Sequence, residues 1–356
     1  MITLPDRYEY LGTKLEGGQG VILLCKDKFL DRTVAIKVMQ DLHHFDSILN
    51  EASTIKSIQS KHVVELYDLL HIEEEGKKSI ALIEEYIPGS DLEDYSSTSP
   101  NADDYIKILY QISAGIADIH NHNHIHRDIK PMNMKCNDEG IVKIFDFGFA
   151  IEIEDELKTE HGRGTIAFRA PELYHIPSAE YDSAVDVYAF GVSAWFLVDK
   201  RIPDALWEMP PQRTNLAPSF SNIGLDLPHD VISILDQTLK VNPDERPSMN
   251  VVRDTLARRI NYGRHRALLT YNNASKEISE INKKITLSVH GITISIKYDG
   301  LYFIVENING DVYINNRDAI IGESLPGSCV ITLGALPMGF NRTFIAFDVS
   351  HPEVVL

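Results

Sequence analysis

The sequence predicts an α+β chain: a bilobal body over residues 1–260, a polar linker at 261–283, and a small all-β sandwich or barrel-like domain at 284–356. Three observations carry this. Apolar, β-prone runs crowd the first 84 residues. From Asn101 the apolar period becomes helical, with Ile106, Leu109, Ile112, Ile116 and Ile119 in step. Beyond residue 284 short strand-like runs return, punctuated by the hairpin signals Asp299-Gly300 and Asn309-Gly310.

In the first lobe, residues 1–84, strands are expected at Val21 to Cys25 and Thr33 to Met39, with the polar run Asp27 to Arg32 as their hairpin. The turn Gly17-Gly18-Gln19-Gly20 joins two strands, which excludes a dinucleotide fingerprint, where such a turn opens a helix. A helix is expected over Phe45 to Ile58, with Ile48, Ile55 and Ile58 on its apolar side and Glu51 in its middle. Strands follow at Val63 to Leu70 and Ser79 to Ile83, with Glu73 to Lys78 as the turn. Residues 85–91, which the resemblance described below makes a hinge, lead to a mainly helical second part at 92–260, whose last helix opens at Ser248, a good N-cap after Pro247. The linker, rich in Asn, Ser, Lys and Glu, is at most partly helical. Six strands are expected beyond it: Ile285 to Val289, Ile292 to Tyr298, Leu301 to Val305, Val312 to Ile314, Val330 to Leu333 and Phe344 to Phe347.

Composition sets outer bounds. With 44% hydrophobic residues the chain is ordinary for a globular protein, and no apolar run reaches the roughly 18 residues of a membrane helix. The start of the chain lacks a basic-then-apolar leader pattern, so a cytoplasmic location is expected. Cys25, Cys136 and Cys329 are scattered and odd in number, against a disulfide framework or a zinc cluster. A net charge of -18 disfavours nucleic acid and anionic lipid as partners, and would steer in a basic peptide.

The chemistry concentrates in His126-Arg127-Asp128-Ile129-Lys130-Pro131-Met132-Asn133. Asp146-Phe147-Gly148 follows it, and Val34-Ala35-Ile36-Lys37 and the glycine turn precede it. Singly, each has a bland reading: a strand lysine is usually solvated, and Asp or Asn near a turn usually serves the turn. The alternating His120, His122, His124 and His126 invite a metal site, but read better as helix-end and loop residues. The acidic run Glu152 to Glu156 reads as a solvated loop face.

Taken together, in this order and spacing, these motifs resemble those of the eukaryotic-type protein kinases over about residues 5–260. Ala170-Pro171-Glu172, Asp186-Val187-Tyr188-Ala189-Phe190-Gly191 and Asp244-Glu245-Arg246-Pro247 extend the likeness. The resemblance implies a serine/threonine kinase that uses ATP with Mg2+, or Mn2+ in its place, and takes Ser or Thr of a protein as acceptor. It implies Asp128 as the group that receives the hydroxyl proton and Lys130 as the charge beside the moving phosphoryl. Lys37, oriented by Glu51, would contact the phosphates, and Asn133 and Asp146 would hold metal. Gly17, Gly18 and Gly20 would let backbone N–H groups approach the phosphates. Ile22 and Ala35 would cover the adenine, Lys135 would lie beneath it, and Glu85 and Ile87 would offer hinge backbone to its edge. Arg246 would pair with Glu172. Lys130 and the Gly164-Thr165 pair speak for the serine/threonine type.

Arg127 would bind a phosphate on the activation segment, with Thr159 as the residue modified, or be neutralised by Glu160. The Thr165 hydroxyl would bond Asp128 and Lys130. The chain departs from the pattern at three places. Leu15 stands for the first glycine, Glu84 for an apolar residue behind the base, and Lys135 for an apolar residue below it. A carboxylate at Glu84 is costly if buried and unpaired; either it pairs near Lys37 or the register is off by one. The four-carbon stem of Lys135 suits it to cover a ring while its ammonium reaches water. Two other functions remain open: a pseudokinase or scaffold, and a small-molecule kinase of the aminoglycoside-phosphotransferase sort. The latter generally lacks a counterpart of Lys130 and the Gly-Thr to Ala-Pro-Glu platform. The β domain carries no catalytic constellation and reads as a regulatory or interaction module.

Overall fold

A computed structural model of the chain describes residues 2–17, 20–38, 45–74, 77–98, 100–148, 151–152, 166–174, 182–272 and 274–350. The chain divides into two compact units, residues 1–256 and 257–355.

The first unit opens with β1 (Ile2–Thr3), β2 (Tyr8–Gly17), β3 (Gly20–Asp27), β4 (Arg32–Val38), α1 (Phe45–Ser57), β5 (Leu66–Glu74) and β6 (Lys77–Glu85). The strands form one antiparallel sheet in the order β1-β5-β6-β4-β3-β2. Alternation decides its faces. Val34, Ile36 and Val38 of β4 join Val21, Leu23 and Cys25 of β3 in one apolar cluster. Ala35 and Lys37 therefore turn to the other side. The hairpin between β3 and β4 is closed by Asp27, whose Oδ1 accepts from the Phe29 N–H at 3.1 Å and whose carboxylate takes a two-pronged bond from Arg7 at 2.9 and 2.7 Å.

The helical part holds β7 (Ser90–Asp91), α2 (Ala102–Asn121), β8 (His124–Ile125), β9 (Met134–Cys136), β10 (Val142–Ile144), β11 (Ile151–Glu152), α3 (Ala184–Val198), α4 (Asp204–Trp207), α5 (His229–Thr238) and α6 (Met249–Ile260). Asn101 caps α2 by accepting from the Asp104 N–H at 2.9 Å, and Ser248 caps α6 through the Val251 N–H at 3.4 Å. Inside the helices two glycines allow close approach. A Cβ on Gly115 of α2 would fall 2.8 Å from Ile144 Cδ1 and 3.0 Å from His62 Cβ. One on Gly191 of α3 would fall 2.3 Å from Thr238 Oγ1.

Apart from the last residues of α6 and a short 3-10 helix at Leu336–Asn341, the described elements of the second unit are strands: β12 (Arg266–Tyr271), β13 (Ala274–Ile278), β14 (Lys284–Val289), β15 (Ile292–Tyr298), β16 (Phe303–Asn309), β17 (Val312–Ile314), β18 (Arg317–Asp318), β19 (Ser328–Leu333) and β20 (Thr343–Ser350). They make two sheets, β13-β12-β20-β19-β17-β18 and β14-β15-β16. Inward residues of both sheets merge in one core, among them Leu269, Ile294, Ile296, Val305, Ile331 and Phe347, so the unit is a sandwich. Tyr298 stacks on Phe303 with ring centroids 4.6 Å apart.

The expected linker at 261–283 is corrected. It holds the β12–β13 hairpin, and β12 pairs with β20 along Arg266 to Thr270. Ala267 and Leu269 are buried while Arg266, Leu268 and Thr270 are exposed, so one side of a polar-looking segment supplies core. The strand expected at Leu301 to Val305 runs instead over Phe303–Asn309. Asp299 Oδ1 accepts from the N–H groups of Leu301 and Tyr302 at 2.8 and 2.7 Å, so those residues belong to the turn.

Candidate functional site

The sheet delivers the first cluster. Register sets Lys37 opposite Ile22 on β3 and Leu82 on β6, and sets Ala35 opposite Glu84. The Lys37 ammonium lies 2.7 Å from Glu51 Oε1 on α1 and 3.0 Å from Asp146 Oδ1. Burial alone would lower its affinity for a proton, but Glu51, Asp146 and Glu84 outweigh it and hold the ammonium charged. Glu84 is 9% exposed, and its carboxyl is pushed up to about 7, chiefly by burial. Glu84 thus lies opposite Ala35 and shares the surroundings of Lys37.

The second cluster grows from the loop after β8. Lys130 Nζ lies 2.7 Å from Asp128 Oδ2. Asn133 Nδ2 donates to the Asp128 carbonyl at 2.8 Å and to its Oδ2 at 2.9 Å. The loop is pinned from beneath by the fully buried Asp186 of α3. Its Oδ2 accepts from the His126 N–H at 2.8 Å and its Oδ1 from the Arg127 N–H at 2.8 Å. His120 Nε2 adds a contact to Oδ2 at 2.9 Å. Desolvation would raise the Asp186 carboxyl, but these bonds hold it below the usual range. Arg127 and Asp146 both take left-handed backbone, with φ of 66° and 68°, a conformation that costs energy at a residue with a Cβ and that the surrounding bonds enforce.

The other expected residues fall as follows. Gly17 and Gly20 face each other across the β2–β3 turn, while Gly18 lies outside the described residues. Ile87 is buried after β6. Lys135 sits on β9 opposite Asp91, and its ammonium lies 3.3 Å from Asp91 Oδ1. Arg246 and Glu172 meet through two bonds of 2.7 and 2.8 Å. Thr159, Glu160 and Thr165 lie outside the described residues.

Some of the site was not read from the sequence. Lys143 on β10, 6% exposed, reaches Glu85 Oε2 at 2.7 Å, and the same oxygen accepts from the Glu65 N–H at 3.2 Å. The segment from β6 toward the hinge is thereby tied to the strand that leads to Asp146. The role of Asp186 as the anchor of the Asp128 loop was also unread; its place in a quoted motif was the only signal.

The donor set suits a hard divalent ion. Asn133 uses Nδ2 for Asp128, which leaves its Oδ1 to accept, and the Asp146 carboxylate is partly open; the Phe145 N–H donates to the Asn133 carbonyl at 3.0 Å, so the two residues lie on bonded backbone segments. Two protein oxygens, completed by phosphate and water, are what magnesium takes. Among the described residues no group of three His, Cys, Asp or Glu could hold a metal, and the His120 and His126 of the alternating run are engaged with Asp186 and the Phe145 carbonyl. No helix among the described residues is long and apolar enough to cross a membrane.

The family model described as protein kinase domain matches residues 8–256. Human cyclin-dependent kinase-like 2 is 30% identical over 282 residues, covering 68% of this chain and 56% of that protein. A protein of Dictyostelium discoideum named as a probable serine/threonine-protein kinase is 32% identical over 205 residues, covering 56% of this chain and 28% of its own length. One of Bifidobacterium longum with a similar name is 30% identical over 212 residues, covering 56% of this chain and 27% of its own. The chain spans about half the length of the human relative and less of the other two.

Proposed function

The chain belongs to the protein kinase family, and from that premise we propose that it transfers the γ-phosphoryl group of ATP to Ser or Thr hydroxyls of a protein, its own included. The observation that carries the reading is the Asp128–Lys130–Asn133 cluster, standing with Lys37, Glu51 and Asp146 in one unit. Asp128 takes the proton of the acceptor hydroxyl as its oxygen bonds to phosphorus and the bond to the leaving ADP breaks. Lys130 offsets charge on the moving group. Lys37, held by Glu51, aligns the phosphates, so little reorganisation is needed during transfer. Asn133 and Asp146 would hold a divalent ion, which when bound neutralises phosphate charge. Lys130 and the names of the relatives support Ser and Thr as acceptors.

The second reading is a pseudokinase or scaffold, favoured by the buried Glu84 carboxyl beside Lys37. Labelled ATP with a protein mixture, followed by phosphosite mapping, separates the two. Asp128→Asn should cut transfer about 100-fold or more while nucleotide binding stays within about threefold. Lys37→Ala should also reduce transfer, through misaligned phosphates. A Lys37→Ala/Asp128→Asn variant as active as the parent would end the kinase reading.

A further inference from the structure

The cleft carries a carboxylate that the chemistry above does not use. Glu84 lies opposite Ala35, and Lys37 is two residues from Ala35 on the same strand. Side chains two apart share a face, so Glu84 and Lys37 turn to the same side of the sheet. Lys37 is already bonded to Glu51 and Asp146. One buried ammonium therefore stands among three carboxyl groups. Oε2 of Glu51 adds a buried acceptor without a hydrogen-bond partner. Burial foremost, and then Glu51 and Asp146, oppose ionisation of Glu84, while Lys37 favours it. An apolar side chain would fill this place without such a conflict.

We propose that Glu84 is a positioning residue that acts through Lys37 to make nucleotide binding depend on the divalent cation. The proposal rests on the ATP reading above. A triphosphate must draw the Lys37 ammonium to itself, in competition with every carboxylate that already holds it. It must also enter a region where acids outnumber the lysine. In so dry a place one extra unit of negative charge changes affinity by a factor of several to more than ten. With Asp146 engaged on a cation and the phosphates partly neutralised, the charge of Glu84 counts for less. Without a cation it counts in full.

The test measures binding of a trinitrophenyl-ATP analogue to the full chain by fluorescence at pH 8, in EDTA and in saturating magnesium. Glu84→Gln keeps shape and polarity without the charge; Glu84→Leu removes polarity as well. Both should tighten metal-free binding about fivefold or more and change magnesium-loaded binding by less than about twofold, so the ratio of the two affinities falls. An unchanged ratio in Glu84→Gln, with the parent binding normally in magnesium, overturns the role given to Glu84. A shift in Glu84→Leu alone also overturns it, because packing and not charge would then be the cause. A parent chain that binds no nucleotide in magnesium overturns the ATP reading, and this inference with it.

Discussion

His62 is 2% exposed, and its Nδ1 lies 3.0 Å from the Val142 carbonyl, which can only accept, so Nδ1 carries the proton. Burial, only partly opposed by that bond, pulls the ring down to about 4. Between that value and the ordinary 6.5 the unfolded chain takes up a proton that the folded chain refuses. The stability due to a neutral His62 is thus complete above pH of about 6.5 and drains away as pH falls toward about 4, reaching about 3 kcal/mol. Other groups titrate in the same window, so the difference between parent and His62→Gln isolates it. Urea unfolding at several pH values should show a flatter acid limb for the variant. Parallel limbs would mean that His62 is protonated in the fold or exposed to water. Neither this histidine nor the Lys143–Glu85 pair was legible in the sequence, because the partners lie 80 and 58 residues apart and no local period joins them. The residues around Lys37 and Asp128 were legible for the opposite reason: each group sits in a short run whose residue types are dictated together.

At the scale of elements, α3 shows how packing overrides propensity. Gly191 lies inside the helix, where Ala would be favoured by about 1 kcal/mol. A methyl there would come within 2.3 Å of Thr238 Oγ1 and 2.8 Å of Leu239 Cδ2. Thr238 cannot simply turn away, since its hydroxyl donates to the Leu235 carbonyl at 2.6 Å. Gly191→Ala should therefore lower stability by about 1–2 kcal/mol net, the overpacking cost exceeding the helical gain. Chemical denaturation reads this directly, and a variant at least as stable as the parent would show that α3 and α5 can move apart freely. The same competition explains the misread linker. Residues 266–271 alternate outward and inward positions, with Ala267 and Leu269 inward and Leu268 outward, and the run is so short and so closely flanked by Arg264, His265, Asn272 and the Ser275-Lys276-Glu277 stretch that the segment as a whole looks polar. The hairpin at Asn315-Asn316 between β17 and β18, with φ of 49° and 67°, also went unread, since its turn contains no glycine. The readable elements were α2, with its long apolar period, and the start of α6, with its cap at Ser248.

At the scale of the molecule, the division into two compact units decides how the chain comes apart. The β unit buries Tyr298, Phe303, Ile331, Ile345 and Phe347 in a cluster of its own, and both of its sheets contribute. The first unit has its own buried interior, which includes Tyr105, Phe147, Tyr188 and Phe190. About 100 residues with a continuous apolar interior suffice for independent folding. A chain ended after Ile260 should therefore remain folded and, on the proposed function, keep basal phosphoryl transfer. Residues 257–355 expressed alone should fold as a β protein. The full chain should then unfold in two steps, and Phe347→Ala should lower one of them by about 3–5 kcal/mol while leaving the other in place. Calorimetry of the full chain, with circular dichroism of each piece, checks this. A molten 1–260 chain, or a single transition that Phe347→Ala moves as a whole, would show that the β unit is an integral part of the kinase fold and not a module attached to it.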